Sequence, residues 1–472
     1  MSETLAFGAT NEPPTHVLTY NSLLEWDRNL LVKNALAESW QAVDNVTYDI
    51  KLRRGVKFHS GKEMVAEDVK YTIDLLSDPP APGRKFSTYP KIASTEIVDP
   101  YTVRVKLSAP DPSLIGFMTW TRYSAILPKG LHTRINVQTE EDGTGPYKLT
   151  KFIANDSAVL ARNPNYWGAP LPYPDEITLK VLPDAQARVA ALRAGAIDGG
   201  LVSPDIAKTL ASDSSISIIK GLVATHREIQ FTVKTGEKKP WHDIRVRQAI
   251  SKAINRQDIA DKVYAGDAFF SSVVAPGYGD WSLPEADLKS NYLKFDLAAA
   301  KKLMTDAGYA NGFQVVLQTF AAPADFAQVA QVVQEQLKQI GVDATVRPLE
   351  AAEFGKNNSE GNYDMQLTAR GMRGDVSGYV NEFNSKLANA KVWFTAWKND
   401  ELDKLLDDGL LTADLAQRKQ IYTKAQQILL TELVHIPLVN PMTYLAVRTR
   451  VKNAYPSYVG NAVALREVSL EG

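Results

Sequence analysis

The chain has 472 residues, of which 44% are apolar and 23% charged, a composition that fits two or three well-packed domains and argues against disorder. Its 53 Lys and Arg against 54 Asp and Glu give a formal charge of -1, so the overall balance offers no support for nucleic-acid binding. The absence of cysteine removes disulfides, thiolate metal sites, iron–sulfur clusters and cysteine nucleophiles together.

In chain order, MSETLAFGAT (residues 1–10) reads as a first strand, with neither the charged start nor the apolar run of a signal peptide. The chain is therefore expected to be either intracellular or the mature form of an exported protein. No run of about 18 apolar residues predicts a transmembrane helix. In VTYDIKLR, Tyr48, Ile50 and Leu52 alternate with polar residues, the period of a half-buried strand. Gly55 and Ser60-Gly61 then mark turns, and Val65, Val69, Ile73 and Leu76 fall at helical spacing. Glu67 and Asp68 lie in that helix's first turn, where the dipole favours carboxylates. The basic residues crowded around His59 are thereby expected on a solvated strand face or in a turn.

Further along, EITLKVL, DAQARVAALRAG and AIDGGLV read as strand, helix and strand, with Gly195 at the helix C-cap. Val246, Ala249, Ile250, Ala253 and Ile254 form a helical stripe, and a second helix runs through Ile259 and Val263 to Gly266. Asp296 is expected to cap LAAAKKLMTDA, closed by Gly308. FQVVLQTF, DFAQVAQVVQEQLKQIG and DATVRPL make a βαβ unit, which implies a parallel sheet in the second half. Helices at 399–411 and 414–433 precede the strand TYLAVRTR.

A catalytic constellation is not legible. Neither a GxxxxGK[ST] loop, a GxGxxG opening a helix nor a GxSxG elbow is present. GTGPYK (143–148) contains Pro146, which cannot donate to a phosphate, so a structural turn is expected there. The six scattered histidines form no metal motif, and neither a metal nor a cofactor is expected. Two stretches have the character of recognition surface. LTARGMRGDVSGYVNEFN (367–384) sets Arg370, Arg373 and Asp375 among glycines after a strand, where α/β sheets bind ligands; an ordinary charged loop is the other reading. KVWFTAWK (391–398) spaces Trp393 and Trp397 by four, either as core packing or as aromatic walls for a ligand. TWTRY (119–123) adds Trp120 and Arg122 as candidates, with packing as the plainer reading.

Seven stretches together resemble the extracellular solute-binding proteins of the peptide, dipeptide and nickel type (family 5, cluster C). They are LAESW at 36–40, LRRGVKFHSGKEMVAEDVKYTIDLL, GTGPYKL, ARNPNYWG, HDIRVRQAISKAINRQDI, DLAAAKKLMTDAGYANGF and VHIPLV, in the family's order and across nearly the whole chain. The resemblance implies an α/β, bilobed periplasmic-binding-protein type II fold with an extra subdomain in lobe I. Lobe I would take residues 1–40, 150–230 and 439–472, the subdomain 41–149 and lobe II 231–438, with crossings near 229–235 and 436–444. It also implies a monomeric, non-catalytic substrate-binding component of an ABC importer, in the periplasm or tethered to the outer face of the membrane. Such a protein captures a small polar solute by hinge closure and passes it to a membrane-embedded ABC permease. A short peptide or an amino-acid or opine-like compound is the expected ligand. A nickel–chelate or oligosaccharide receptor is the alternative on the same scaffold, and an intracellular enzyme the alternative of another class.

Carried over residue by residue, Asp375 falls where peptide-binding members place an acid that pairs with the ligand's α-ammonium. Met372 replaces the usual aromatic there and Val376 the usual tyrosine. Arg370 and Arg373 offer bidentate binding of a carboxylate or phosphate instead, or Arg373 pairs with Asp375. The resemblance also implies that Trp393 and Trp397 lie near the ligand. NEPPTH runs straight into VLTYNSLLEWD, where family members have ten or more further residues; that stretch is naturally short here or missing between His16 and Val17. Val65 stands where the family has a capping Thr, so the helix start is expected to use another acceptor or water.

Overall fold

Leu5 and Phe7 are buried on β1 (Thr4–Ala9), and this strand becomes the centre of a sheet. The computed structural model describes residues 4–9, 15–27, 31–77, 91–136, 139–371, 375–387, 390–456 and 463–471. The chain divides into two compact units, Met1–Gly221 with Thr443–Gly472, and Leu222–Met442.

In the first unit, a small antiparallel sheet forms from β2 (Ala37–Ala42), β3 (Thr47–Leu52), β4 (Ile92–Asp99) and β5 (Thr102–Leu107), in the order β2-β3-β5-β4. The expected alternation on β3 is present. Ile50 and Leu52 pack with Val103 and Val105 against Val69 and Ile73 of α1 (Ala66–Ser77), while Asp49 takes a bidentate pair from Arg104 at 2.7 and 2.8 Å on the other face. The helix starts one residue later than its apolar spacing suggests, because Val65 lies outside it. Its initial acceptor is Asp68, whose buried carboxylate takes Val65 N–H at 3.1 Å and Lys129 N–H at 2.8 Å and pairs with Lys62. This carboxylate, reaching back from inside the first turn, makes the reciprocal half of a capping box, and the Asp68 N–H that a hydroxyl would take goes to the Val65 carbonyl at 3.0 Å.

The large sheet of the unit uses β6 (Tyr147–Ile153), β7 (Ser157–Arg162), β8 (Glu176–Val181), β9 (Gly199–Val202) and β10 (Ile216–Leu222). Its order is β10, the strand Val439–Arg448, then β9-β1-β8-β7-β6. Between β8 and β9 runs α2 (Ala185–Arg193), capped by the Asp184 side chain at 2.7 Å and closed at Gly195, φ 74°. The two strands of this βαβ unit are not neighbours. They bracket β1, which pairs with both in parallel. One sheet face carries Leu5, Phe7, Leu445 and Val447 into one apolar cluster, and Ala446 joins Val189 and Leu192 in another.

The second unit holds β11 (His226–Phe231), α3 (Ile244–Ala253), α4 (Arg256–Tyr264), β12 (Ala268–Phe270), α5 (Leu297–Asp306), β13 (Phe313–Phe320), α6 (Asp325–Lys338), β14 (Val342–Leu349), α7 (Ala351–Glu360), β15 (Met365–Arg370), α8 (Asp400–Leu411), α9 (Leu415–Glu432), β16 (His435–Pro437) and β17 (Val439–Arg448), the last continuing into the first unit. Asp243, Asn255, Asp296, Asn399 and Asp414 each cap a helix by accepting an N–H from its first turn. Five strands form a mixed sheet ordered β14-β13-β15-β11-β16, with β13 parallel to both β14 and β15, as the βαβ reading requires. The inward stripes of α3 and α6 meet one face of this sheet, so Val246, Ile250, Val329 and Val333 join Ile229, Leu317 and Leu367 in one core. Among the described residues no helix is long and apolar enough to cross a membrane.

Candidate ligand-binding residues

The other face of the second unit's sheet is polar. Strand alternation points His226, Glu228 and Gln230 of β11 away from the apolar core, and the register sets them opposite Arg370, Thr368 and Gln366 of β15. His435 of β16 lies opposite Gln230 on the far side. All seven are buried. Glu228 accepts from Arg370 at 2.9 and 3.3 Å, from Gln230 at 2.6 Å and from His226 at 3.2 Å. Burial alone would raise its carboxyl, but Arg370, the His435 ring and these hydrogen bonds outweigh burial and hold it well below the usual range. Burial lowers His226, so this ring is neutral.

Arg370, named from sequence, is 3% exposed and is engaged by protein throughout. Besides Glu228 it donates to the Tyr379 carbonyl at 3.0 Å and to His435 Nδ1 at 2.7 Å, and it pairs with Glu382. A ligand carboxylate would have to displace one of these partners. Arg373 lies outside the described residues, and so does any pairing of it with Asp375. The partner of Asp375 in the structure is Arg418, bidentate at 2.9 and 2.5 Å, with Ser377 N–H adding a bond at 2.9 Å. Burial would raise this carboxyl; Arg418 pulls it below the usual range instead. The guanidinium itself is fixed by the Gly409 carbonyl at 2.9 Å and lies beside the Trp281 and Tyr422 rings.

Trp393 is 8% exposed and donates its indole N–H to the Asn358 carbonyl at 2.7 Å, while half-buried Trp397 donates to Glu432 at 3.1 Å. Phe394 stands edge-on between them at 6.3 and 5.6 Å and also packs on Phe383 and His435. The spacing of four thus gives an interleaved aromatic stack with engaged N–H groups.

In the first unit, Trp120 begins the turn Thr121–Ser124 and packs edge-to-face on Tyr123 at 4.3 Å. It is 6% exposed, and its indole N–H has no partner among the described residues. The Arg122 side chain lies outside the described residues. Ser22 donates to Thr121 at 3.1 Å, which ties this turn to the stretch 19–24. Next to Ser22, Asn21 accepts from Thr144 at 3.2 Å and from Trp167 at 3.1 Å, joining GTGPYKL and ARNPNYWG in one node. The glycines of that loop are required by contact. A Cβ at Gly143 would lie 2.0 Å from the Thr19 carbonyl oxygen, and one at Gly145 would lie 2.4 Å from that of Leu18. His59 docks on the same loop through Nε2 to the Gly145 carbonyl at 3.1 Å, and burial lowers it to about 4. Several of the basic residues around it are engaged: Lys51 pairs with Glu38, Lys62 with Asp68, Arg54 covers the Tyr101 ring and Arg53 covers Trp167.

Sequence reasoning missed Asn21, Glu228, Glu382, His435 and Arg418. Only Glu228 left a signal. From Glu228 the run EIQF alternates ionisable or amide residues with apolar ones, which marks a strand with one polar face. Among the described residues no group of three or more His, Asp or Glu is arranged to hold a metal ion.

Comparison with known proteins agrees with this architecture. Residues 32–391 match the sequence profile of the bacterial extracellular solute-binding proteins, family 5 Middle. The glutathione-binding protein GsiB of Escherichia coli O157:H7 is 30% identical over 433 residues, 89% of this chain and 83% of that protein. The oligopeptide-binding protein AppA of Bacillus subtilis, solved with a nonapeptide, superposes with a TM-score of 0.84 at 25% identity, covering 100% of both chains. The periplasmic binding protein DppA of Helicobacter pylori, in complex with the peptide STSA, gives 0.84 at 23% identity, covering 100% of this chain and 98% of that one. The fold is the periplasmic-binding-protein type II fold, and the chain belongs to the bacterial extracellular solute-binding proteins of family 5.

Proposed function

We propose that this substrate-binding component of an ABC importer takes a short peptide or peptide-like solute, with glutathione as the first compound to test. The observation that carries the reading is the 30% identity to a glutathione-binding protein over 89% of the chain. The lobes are proposed as the sequence divides them, with residues 41–149 as a subdomain of lobe I. The protein acts as a monomer, in the periplasm or held at the outer face of the membrane, and binds its solute without transforming it.

Among the named residues, Trp120, Arg122 and Arg373 are the proposed ligand contacts, Trp120 because its buried indole N–H has no partner among the described residues. Arg370, Asp375, Trp393 and Trp397 are proposed as ligand-binding residues of the second unit that act by shaping it rather than by direct contact, since each is bound to protein. Isothermal titration and thermal denaturation against glutathione, Ser-Thr-Ser-Ala, an opine, an oligosaccharide and nickel–histidine test the reading. A peptide-like compound at about a hundred times its Kd should stabilise the fold by about 2.7 kcal/mol. Trp120→Phe should weaken binding by roughly threefold to tenfold, the value of one neutral hydrogen bond. If only the oligosaccharide or nickel–histidine binds, the peptide reading is wrong; if none binds, the solute class is wrong.

A further inference from the structure

The polar sheet face of the second unit is met by residues 376–387 and 390–397 of the same unit, and much of what joins them is electrostatic. A guanidinium has five N–H donors. Arg370 directs bonds from Nε and Nη2 to Glu228 at 3.3 and 2.9 Å, and from Nη2 to His435 Nδ1 at 2.7 Å. These three bonds remain within the sheet, on β11 and β16. The remaining two, from Nη1, cross to the covering segment, at the Tyr379 carbonyl (3.0 Å) and the Glu382 carboxylate. Glu228 is 0% exposed, Arg370 3% and Glu382 8%, so one buried cation is shared between two buried carboxylates.

Such a cluster is a poor means of raising stability, since a well-packed apolar replacement is often neutral or better. What it does provide is geometry. Five donors in a rigid fork accept one arrangement of five acceptors, and a lysine with three donors could not satisfy both the sheet and the segment. Arg370 is also the last residue of β15, and Asp375, pinned by Arg418, opens the segment that Glu382 ties down.

We propose that Arg370 is a positioning residue for solute binding, acting through Glu382 and the Tyr379 carbonyl to fix residues 375–384 against the sheet. The proposal rests on the reading that solute contacts lie on the stretch following β15. The test compares wild type, Glu382→Ala, Glu382→Gln and Arg370→Lys by hydrogen exchange, thermal denaturation and glutathione titration. Glu382→Ala leaves the Glu228 pair intact, so strands β11 and β13 should keep their protection while amides in 376–384 exchange about tenfold faster. Glutathione affinity should fall about tenfold, and Glu382→Gln, which retains an acceptor, should return it to within about threefold of wild type. Arg370→Lys should resemble Glu382→Ala. Unchanged exchange in 376–384, or faster exchange with unchanged glutathione affinity, overturns the proposal. A wild type that binds neither glutathione nor Ser-Thr-Ser-Ala brings down the functional reading instead, and the exchange of 376–384 still decides whether the cluster fixes the segment.

Discussion

His59 gives its Nε2 hydrogen to the Gly145 carbonyl, and burial, the largest influence, lowers its proton affinity from 6.5 to about 4. Lys148 acts in the same direction and Asp142 against it. Between about pH 6.5 and about pH 4 the unfolded chain therefore binds a proton that the folded chain refuses. More protons on the unfolded side means that stability falls as pH falls through this window, by up to about 3 kcal/mol. Above the window the contribution is constant. Urea midpoints at pH 7.5 and 4.5 should show a smaller acid loss for His59→Gln, which keeps a donor for Gly145, than for wild type. Equal losses in the two proteins would remove His59 from the account. At this scale the sequence was legible in part. Asp375 could be singled out as an acid on a loop, yet its partner Arg418 lies 43 residues away on a helix and has no signature near Asp375. Likewise the indole spacing of Trp393 and Trp397 was readable, but whether their N–H groups were engaged depended on Asn358 and Glu432, contributed by α7 and α9.

Elements were recovered where a period could be counted. Strand β3, the helices α3 and α6 and the β13–α6–β14 crossover follow directly from periods of two and 3.6. Sheet order was not recoverable in this way, because nothing local records that β1 inserts between β8 and β9 or that β17 lies between β9 and β10. Helix α1 shows how one element's start can depend on distant chain. Its Val65 has no side-chain acceptor, and Asp68, 0% exposed, ties the start down from within by binding Val65 N–H, Lys129 N–H and the Lys62 ammonium. Asp68→Ala leaves two part-buried amides and an ammonium without that acceptor, which predicts a loss of about 2 kcal/mol. Asp68→Asn retains one carbonyl acceptor and should cost less. Chemical denaturation ranks the two variants, and a harmless Asp68→Ala would show that water replaces the carboxylate there.

For the molecule as a whole, the family motifs ran in register from LAESW to VHIPLV and made the fold legible, because they come from both units. The compact units divide after Gly221 and after Met442, the second division within the expected 436–444 stretch and the first a few residues before 229–235. The division has a consequence for how each unit can fold. Residues 222–442 form an uninterrupted chain with its own five-stranded sheet and an apolar cluster that draws on β11, α3, α6, β13 and β15. Residues 1–221 are only part of theirs. Without Thr443–Gly472 the sheet loses the strand between β9 and β10, and its apolar cluster loses Leu445 and Val447, both 0% exposed. Exposed strand edges and missing core side chains both favour unfolding or aggregation. Produced separately, the 222–442 fragment should unfold in urea as one cooperative transition with α/β circular dichroism, whereas 1–221 should not. Supplying 443–472 through a short linker after Gly221 should restore cooperativity to the first unit, since the missing strand is then available at high effective concentration. A cooperative 1–221 fragment, or a 222–442 fragment lacking any transition, would show that the folding units are not the compact ones.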